Sequence, residues 1–213
     1  MAWGVIINNQ NGRRMIDSFT ASMALRHKVS VTSVFQATTG VQYGSVFKFT
    51  VTAKRPFVAW GAPHQCTLMQ RGRSGDQWSF TIWTPTDAGA VNTFYVFDDA
   101  SEFLGALSGF GLSVLAPGGR RLWSLGAKSM VVMPAEGNWP SGRTYATSML
   151  GNGGTSSASG SRRQVYMLVV GVNGNQLVAG SGHYSTTTDL EQPYGAKSFG
   201  RVRGYVTVDV TSY

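Results

Sequence analysis

Apolar and polar residues alternate in short runs along most of the chain. The segment 43–52 (YGSVFKFTVT) places Phe47, Phe49 and Val51 at every second position. A period of two is typical of a half-buried β-strand, because successive side chains point to opposite faces of the sheet. The same reasoning predicts strands at 78–83, 94–97, 165–170 and 202–210.

The connections between these runs favour an all-β fold. The chain has 27 Gly and 7 Pro, which separate the apolar runs as they do in proteins with many turns. No stretch sustains the 3.6-residue apolar period of a helix with caps, so we expect no helix longer than about three turns. The predicted fold is antiparallel and β-sandwich-like.

An internal repeat is the most informative feature of the sequence. Residues 2–25 (AWGVIINNQNGRRMIDSFTASMAL) align without a gap to residues 109–132 (GFGLSVLAPGGRRLWSLGAKSMVV), with six identities in 24 positions. A Gly-Arg-Arg triplet stands at the same offset in both copies, which makes coincidence the weaker explanation. We interpret the chain as two related halves, with domains predicted at 1–104 and 105–213.

Each copy of the repeat has the pattern of a β-hairpin. An aromatic-Gly start leads into alternating residues, a turn containing Gly and a returning strand. The glycines to which we assign a structural or turn role are Gly4, Gly12, Gly111 and Gly119. Glycine suits a turn because it adopts positive φ without steric cost.

Charge and cysteine content restrict the classes of protein. Charged residues make up only 13% of the chain, which favours a subunit that buries much of its surface against neighbours, and the net charge of +8 favours an anionic partner. Cys66 is the only cysteine, so no intrachain disulfide is predicted. The start of the chain lacks the pattern of a secretory signal, and no apolar run is long enough for a membrane span, so membrane insertion is not expected.

The polar segments and ionisable clusters have mainly structural interpretations. Residues 151–161 (GNGGTSSASGS) are expected to be a mobile loop, and 181–198 a long polar connection. The pair Asp98-Asp99 fits a turn after a strand better than a catalytic dyad. His64 and Cys66 form the nearest approach to a metal pair, but a structural histidine beside a buried cysteine is the preferred interpretation.

No catalytic or cofactor motif is present. The sequence has no nucleophile elbow, zinc-binding pattern or phosphate-binding loop, so we predict a protein that is not an enzyme and that has no cofactor or metal. The basic pairs 13–14, 54–55, 120–121 and 162–163 are scattered, and neighbouring strand residues point to opposite faces. We therefore expect no nucleic-acid partner.

Aromatic residues in predicted loops are the best candidates for contact with a receptor or a sugar. The aromatic candidates are Trp139, Tyr184 and Tyr194, and Asp189, between the two tyrosines, is a further candidate contact. An exposed aromatic face offers a large apolar surface on which a sugar ring stacks.

The two hairpin segments, WGVIINNQNGRRMIDS and FGLSVLAPGGRRLWSL, resemble the opening of small tail-tip and tail-fibre proteins of long-tailed bacteriophages. In those proteins a similar hairpin ends in Phe-Asp-Ser or a like tripeptide, matched by Ile16-Asp17-Ser18 and more loosely by Trp123-Ser124-Leu125. The resemblance covers about 24 residues twice. It implies a structural protein of the virion tail tip, baseplate or tail fibre, and contact with the host surface through an anionic polysaccharide or a pilus. It also implies partners among neighbouring tail proteins and other copies of the chain, with a trimer favoured.

Two other classes share parts of this pattern. A non-catalytic carbohydrate-binding β-sandwich module has the same fold class, although the missing secretory signal weighs against it. A small depolymerase needs a pair of carboxylates at a set separation, and no such pair is evident among the ten acidic residues.

Overall fold

The computed structural model describes residues 6–8, 14–17, 23–35, 41–100, 113–115, 121–124, 128–134, 139–159, 162–187, 197–200 and 204–213. These residues form eighteen β-strands and contain no α-helix, which confirms the all-β prediction. In this part of the chain no helix is long and apolar enough to cross a membrane.

The strands are distributed evenly over the two halves of the chain. In chain order they are β1 (Ile6–Asn8), β2 (Arg14–Asp17), β3 (Met23–Thr32), β4 (Val41–Gln42), β5 (Ser45–Thr52), β6 (Phe57–Gly61), β7 (Thr67–Ser74), β8 (Gln77–Thr84), β9 (Val91–Asp99), β10 (Ser113–Leu115), β11 (Arg121–Ser124), β12 (Val131–Val132), β13 (Tyr145–Met149), β14 (Gly153–Ser159), β15 (Arg162–Asn173), β16 (Gln176–Thr187), β17 (Lys197–Gly200) and β18 (Tyr205–Asp209).

The two copies of the repeat form hairpins with the same register. In the first hairpin Ile7 lies opposite Ile16, and in the second Val114 lies opposite Trp123, which are the equivalent positions. Both registers shift immediately after these pairs, so the irregularity also recurs. The prediction that both copies form hairpins is confirmed for these strands, whereas Gly4, Gly12, Gly111 and Gly119 lie outside the described residues.

The repeat extends into a six-stranded antiparallel sheet with the order β12-β18-β13-β6-β9-β3. The second half of the chain supplies β12, β18 and β13, counted from one edge to the centre. The first half supplies β3, β9 and β6, counted from the other edge to the centre. Ala24 of β3 lies opposite Asp98 of β9, and Val131 of β12 lies opposite Asp209 of β18. Because Ala24 and Val131 are equivalent positions of the repeat, Asp98 and Asp209 are equivalent too.

This sheet curls back on itself. Its edge strand β3 pairs through Ala24 with Ser129, and residues 128–130 lead directly into β12 at the opposite edge. The amide of Leu25 donates to the Lys128 carbonyl, and the amide of Met130 donates to the Met23 carbonyl, both at 2.8 Å. The enclosed face is filled by apolar residues from all six strands or from their flanks: Met23, Leu25, Phe57, Ala59, Tyr95, Phe97, Met130, Ala146, Val206, Val208, Val210 and Tyr213.

A second layer contains the eight strands that belong neither to this sheet nor to the two hairpins. The sheets β5-β8-β7 and β17-β14-β15-β16-β4 are joined where Cys66, next to β7, pairs with Val170 of β15. They are joined again at Gly44, which connects β4 to β5 with φ +79°. A side chain there would lie only 2.2 Å from the Thr84 carbonyl oxygen, so this bend requires glycine.

Two clusters of apolar residues hold these layers together. Val46, Met69, Trp83, Met167, Val169 and Tyr184, which come from β5, β7, β8, β15 and β16, fill the inside of the second layer. Phe47, Val51, Val58, Trp60, Cys66, Phe80, Ile82, Phe94, Val96, Met149 and Val170 fill the space between the layers. Strand β5 therefore buries apolar residues on both faces, with Val46 on one and Phe47 on the other.

The Gly/Ser-rich segment differs from its prediction. Instead of a mobile loop, Gly153–Ser159 forms strand β14 between β15 and β17. Gly153, Gly154 and Ser156 are buried, because small side chains allow another layer to approach closely. The predicted domains 1–104 and 105–213 stay a prediction, and both halves contribute three strands to the six-stranded sheet.

Candidate functional site

Three aromatic rings stand side by side on the outer face of the sheet that contains β15, β16 and β4. Tyr166 of β15 lies opposite His183 of β16, and Tyr43 follows β4 on the other side of β16. The ring centroids of Tyr166 and His183 are 5.0 Å apart, and those of His183 and Tyr43 are 4.1 Å apart, with planes inclined by 26° and 25°. We call Tyr166, His183 and Tyr43 the aromatic row.

A bulge in β16 lies next to the aromatic row. The register shifts between Val165, which pairs with Ser185, and Tyr166, which pairs with His183, so Tyr184 is the extra residue of the bulge. Tyr184 faces inward, where its ring meets Trp83 edge to face at 5.5 Å, and His183 faces outward beside Tyr166. The Tyr43 amide donates to the Tyr184 carbonyl at 2.9 Å, which fixes Tyr43 beside His183.

Polar side chains surround the aromatic row. Thr155 of β14 lies opposite Tyr166, and Ser157 lies opposite Gln164. The Tyr166 hydroxyl donates to Gln164 Oε1 at 3.1 Å, and Thr186 Oγ1 lies 3.0 Å from His183 Nε2. Residues opposite each other in an antiparallel pair share one face, so these hydroxyl and amide groups lie beside the rings.

A cleft of about 410 Å³ opens elsewhere, between the free edge of β7 and the turn after β13. Among the residues that the structure describes, its lining is mostly apolar, with Arg71 as the one charged side chain: Pro56, Phe57, Val58, Leu68, Met69, Gln70, Arg71, Phe80, Ser148, Met149, Leu150, Gly151 and Asn152. The cleft has a volume typical of small-ligand pockets.

Asp98 is the most completely buried ionisable group that the structure describes in the six-stranded sheet. Its carboxylate accepts hydrogen bonds from the amides of Lys54 at 2.9 Å and Arg55 at 2.7 Å, and from Arg26 Nη1 at 2.6 Å. Burial acts to raise the pKa of Asp98, but these hydrogen bonds outweigh it and hold the pKa below its usual value. Asp98 therefore anchors the connection between β5 and β6.

Asp209 has the same role in the other half. It accepts from Arg143 Nη1 at 2.5 Å and from the amide and hydroxyl of Thr211 at 3.0 and 2.6 Å. Burial acts to raise the pKa of Asp209, but these hydrogen bonds outweigh it and hold the pKa below its usual value. Arg143 precedes β13 as Lys54 and Arg55 precede β6, so each aspartate holds the segment that enters a central strand.

The structure corrects two of the aromatic candidates. Trp139 is only 3% exposed, because its ring packs against Tyr145 and its Nε1 donates to the Pro134 carbonyl at 3.0 Å. Tyr184 lies on strand β16 and is half-buried rather than displayed on a loop. Asp189 and Tyr194 lie outside the described residues.

Two further interpretations of ionisable residues are resolved. The prediction of a turn at Asp98-Asp99 is wrong, because both residues belong to β9. Cys66 is fully buried, as expected, and burial raises the pKa of its thiol to about 12. The described residues contain no cluster of three or more side chains suited to bind a metal ion.

Sequence reasoning missed Tyr43, Tyr166 and His183 as a group. They are separated by up to 140 positions, and their meeting depends on the pairing of β15, β16 and β4. The only local signal was Tyr166 in the predicted strand 165–170.

No protein-family model, no curated protein and no solved structure matches this chain.

Proposed function

We propose that this chain is a non-catalytic structural subunit of a bacteriophage tail tip, baseplate or tail fibre. The proposal rests on the duplicated hairpin. The segment that resembles tail proteins occurs twice, and both copies have the same strand register and the same position of the register shift. The duplication continues through the six-stranded sheet to Asp98 and Asp209.

The hairpins also provide a physical reason for assembly. Within the described residues each forms a two-stranded sheet of its own, with strands of three and four residues. A two-stranded hairpin of this length is marginally stable in water and gains stability when a third strand or another surface covers it. Neighbouring subunits would supply that surface, and the free strand edges would supply backbone hydrogen bonds.

The test uses particles made from the genome that encodes this chain. An antibody against the full chain is applied to purified particles in negative-stain electron microscopy, together with mass spectrometry of the same particles. Label at one end of the tail is the expected result. A chain that is expressed in the host but absent from purified particles would contradict the proposal.

A homo-oligomer, with three copies favoured, is part of the proposal. Light scattering on the purified chain should then give about three times the 22.9 kDa mass of one chain. A monomer in solution that also contacts no copy of itself in the particle contradicts this part of the proposal and leaves the tail location to the labelling experiment.

A further inference from the structure

We propose that the outer face around the aromatic row binds an acid-bearing oligosaccharide, with one sugar ring stacked on Tyr166. This inference deepens the proposed function, because saccharides are what a tail protein meets on a bacterial surface. It rests on that function only for the source of the ligand.

The free face of Tyr166 is the stacking surface. His183 covers the face of Tyr166 turned toward β16, whereas on the side turned toward β14 the described residue opposite Tyr166 is the short Thr155. Among the described residues no other ring contacts Tyr166. Stacking against His183 and the hydroxyl bond to Gln164 hold the tyrosine ring upright, so little side-chain entropy is lost when a ligand binds.

Short polar side chains beside this ring suit the hydroxyl groups of a sugar. Thr155 and Ser157 are exposed on β14, and Gln164 is exposed on β15. Each offers both a donor and an acceptor, which matches the dual capacity of a sugar hydroxyl. The shortness of Thr155 leaves room for a sugar ring against Tyr166.

Charge and spacing select the class of saccharide. Arg162 is exposed and shares the face of Gln164 and Tyr166, since the three are spaced two residues apart on β15. None of the side chains named above on this face carries a carboxylate. Arg162 is four residues from Tyr166, roughly 13 Å along a strand, so the site fits an oligosaccharide whose carboxylate reaches the guanidinium.

The experiment measures binding of the full chain to an array that carries oligomers of glucuronic, galacturonic and sialic acid beside neutral glucose and galactose oligomers. Affinities for the retained oligomers are then measured by titration calorimetry. We expect retention of acid-bearing oligomers, and Tyr166→Ala should weaken their binding roughly tenfold or more, since an aromatic anchor commonly dominates such a contact.

Matched variants separate stacking from folding. Thr155→Phe fills the space beside Tyr166 from an exposed position, so it should abolish binding while the rings of the aromatic row stay in place. Tyr166→Phe keeps the ring and should bind nearly as the parent does. Tyr205→Ala removes an exposed tyrosine of β18, which belongs to the six-stranded sheet and not to the sheet of the aromatic row, and should change nothing.

The charge requirement has its own variant. Arg162→Gln should reduce binding of acid-bearing oligomers and lower its dependence on salt, with no effect on neutral oligomers.

The outcomes are distinct. Retention of no acid-bearing oligomer, or binding that neither Tyr166→Ala nor Thr155→Phe weakens, overturns the inference. Saccharide binding by a chain that is absent from particles would keep this site and reject the tail role. Tail labelling without saccharide binding would keep the tail role and reject this site.

Discussion

Asp98 and Asp209 occupy equivalent positions in the two halves of the six-stranded sheet, opposite the equivalent residues Ala24 and Val131. Each ends or nearly ends its strand, and each accepts hydrogen bonds from the segment that leads into a central strand. The donors differ. Asp98 binds two backbone amides and a half-buried arginine, whereas Asp209 binds Thr211 and the largely exposed Arg143.

This difference predicts unequal effects of the same substitution. Asp98→Asn should lower the free energy of unfolding by about 2–4 kcal/mol, because charge-assisted bonds are lost in a buried site. Asp209→Asn should cost about half as much. Chemical denaturation measures both, with Asp87→Asn as a control at an exposed position that should have no measurable effect. Equal losses for the two buried positions would contradict the assigned contacts.

Stability should fall with acid through these same groups. The pKa of Asp98 and of Asp209 is lower in the folded chain than in the unfolded chain, so their contribution is complete above the unfolded value of about 4 and is lost as pH falls through the folded values. Thermal unfolding measured from pH 7 to pH 2 should show a shallower acid decline for Asp98→Asn than for the parent. An equally steep loss of stability in the variant and the parent would show that protonation of Asp98 does not contribute to the acid decline.

Gly182 is expected to be indispensable for packing the inside of the second layer. A methyl group there would lie 2.7 Å from the Trp83 ring and 2.8 Å from Pro85. Gly182→Ala should therefore destabilise the chain by about 1–3 kcal/mol through overpacking. On the same strand, Gly180→Ala meets only the flexible end of Gln65 at 3.1 Å and serves as the control in urea unfolding. The assignment fails if the two variants unfold at one midpoint.

Trp139 should behave as a core residue and not as a ligand contact. Its replacement by Ala removes the ring that packs on Tyr145 and should cost about 3–5 kcal/mol. Differential scanning calorimetry would detect this as a large drop in Tm. An unchanged Tm would contradict the assignment of Trp139 to the core.

The thiol of Cys66 should be inert in the folded chain. It lies in the core between the layers, with its pKa raised to about 12 by burial, and thiolate is the reactive species. A chromogenic disulfide reagent at pH 8 should label it only when denaturant is added. Rapid labelling without denaturant would mean that this part of the core opens readily.

Local patterns located some of the strands but did not show what covers them. The alternation around Phe47 and Phe49 located β5, and Trp78, Phe80 and Ile82 of the predicted strand 78–83 pack in the core between the layers. Val46, which alternates with Phe47 and so faces the other side, is also buried, because β5 lies between two apolar clusters. A strand's own sequence does not show how many layers will cover it.

The Gly/Ser segment illustrates the same limit from the polar side. Its composition offers no apolar surface, which favours a loop when the segment is considered alone. In the structure its backbone pairs with β15, which follows it directly, and with β17, which comes much later in the chain. The hydrogen bonds to these two strands order the segment.

By itself the sequence determined the all-β class, the duplicated hairpin and the positions of strands such as β5, β8 and β15, because alternation, turn residues and repetition are local properties. Tertiary structure alone decided that Asp98 is a buried anchor, that Trp139 belongs to the core, and that Tyr43, Tyr166 and His183 form one row. Each of these depends on how segments of the chain are paired and packed in three dimensions, which no local pattern shows.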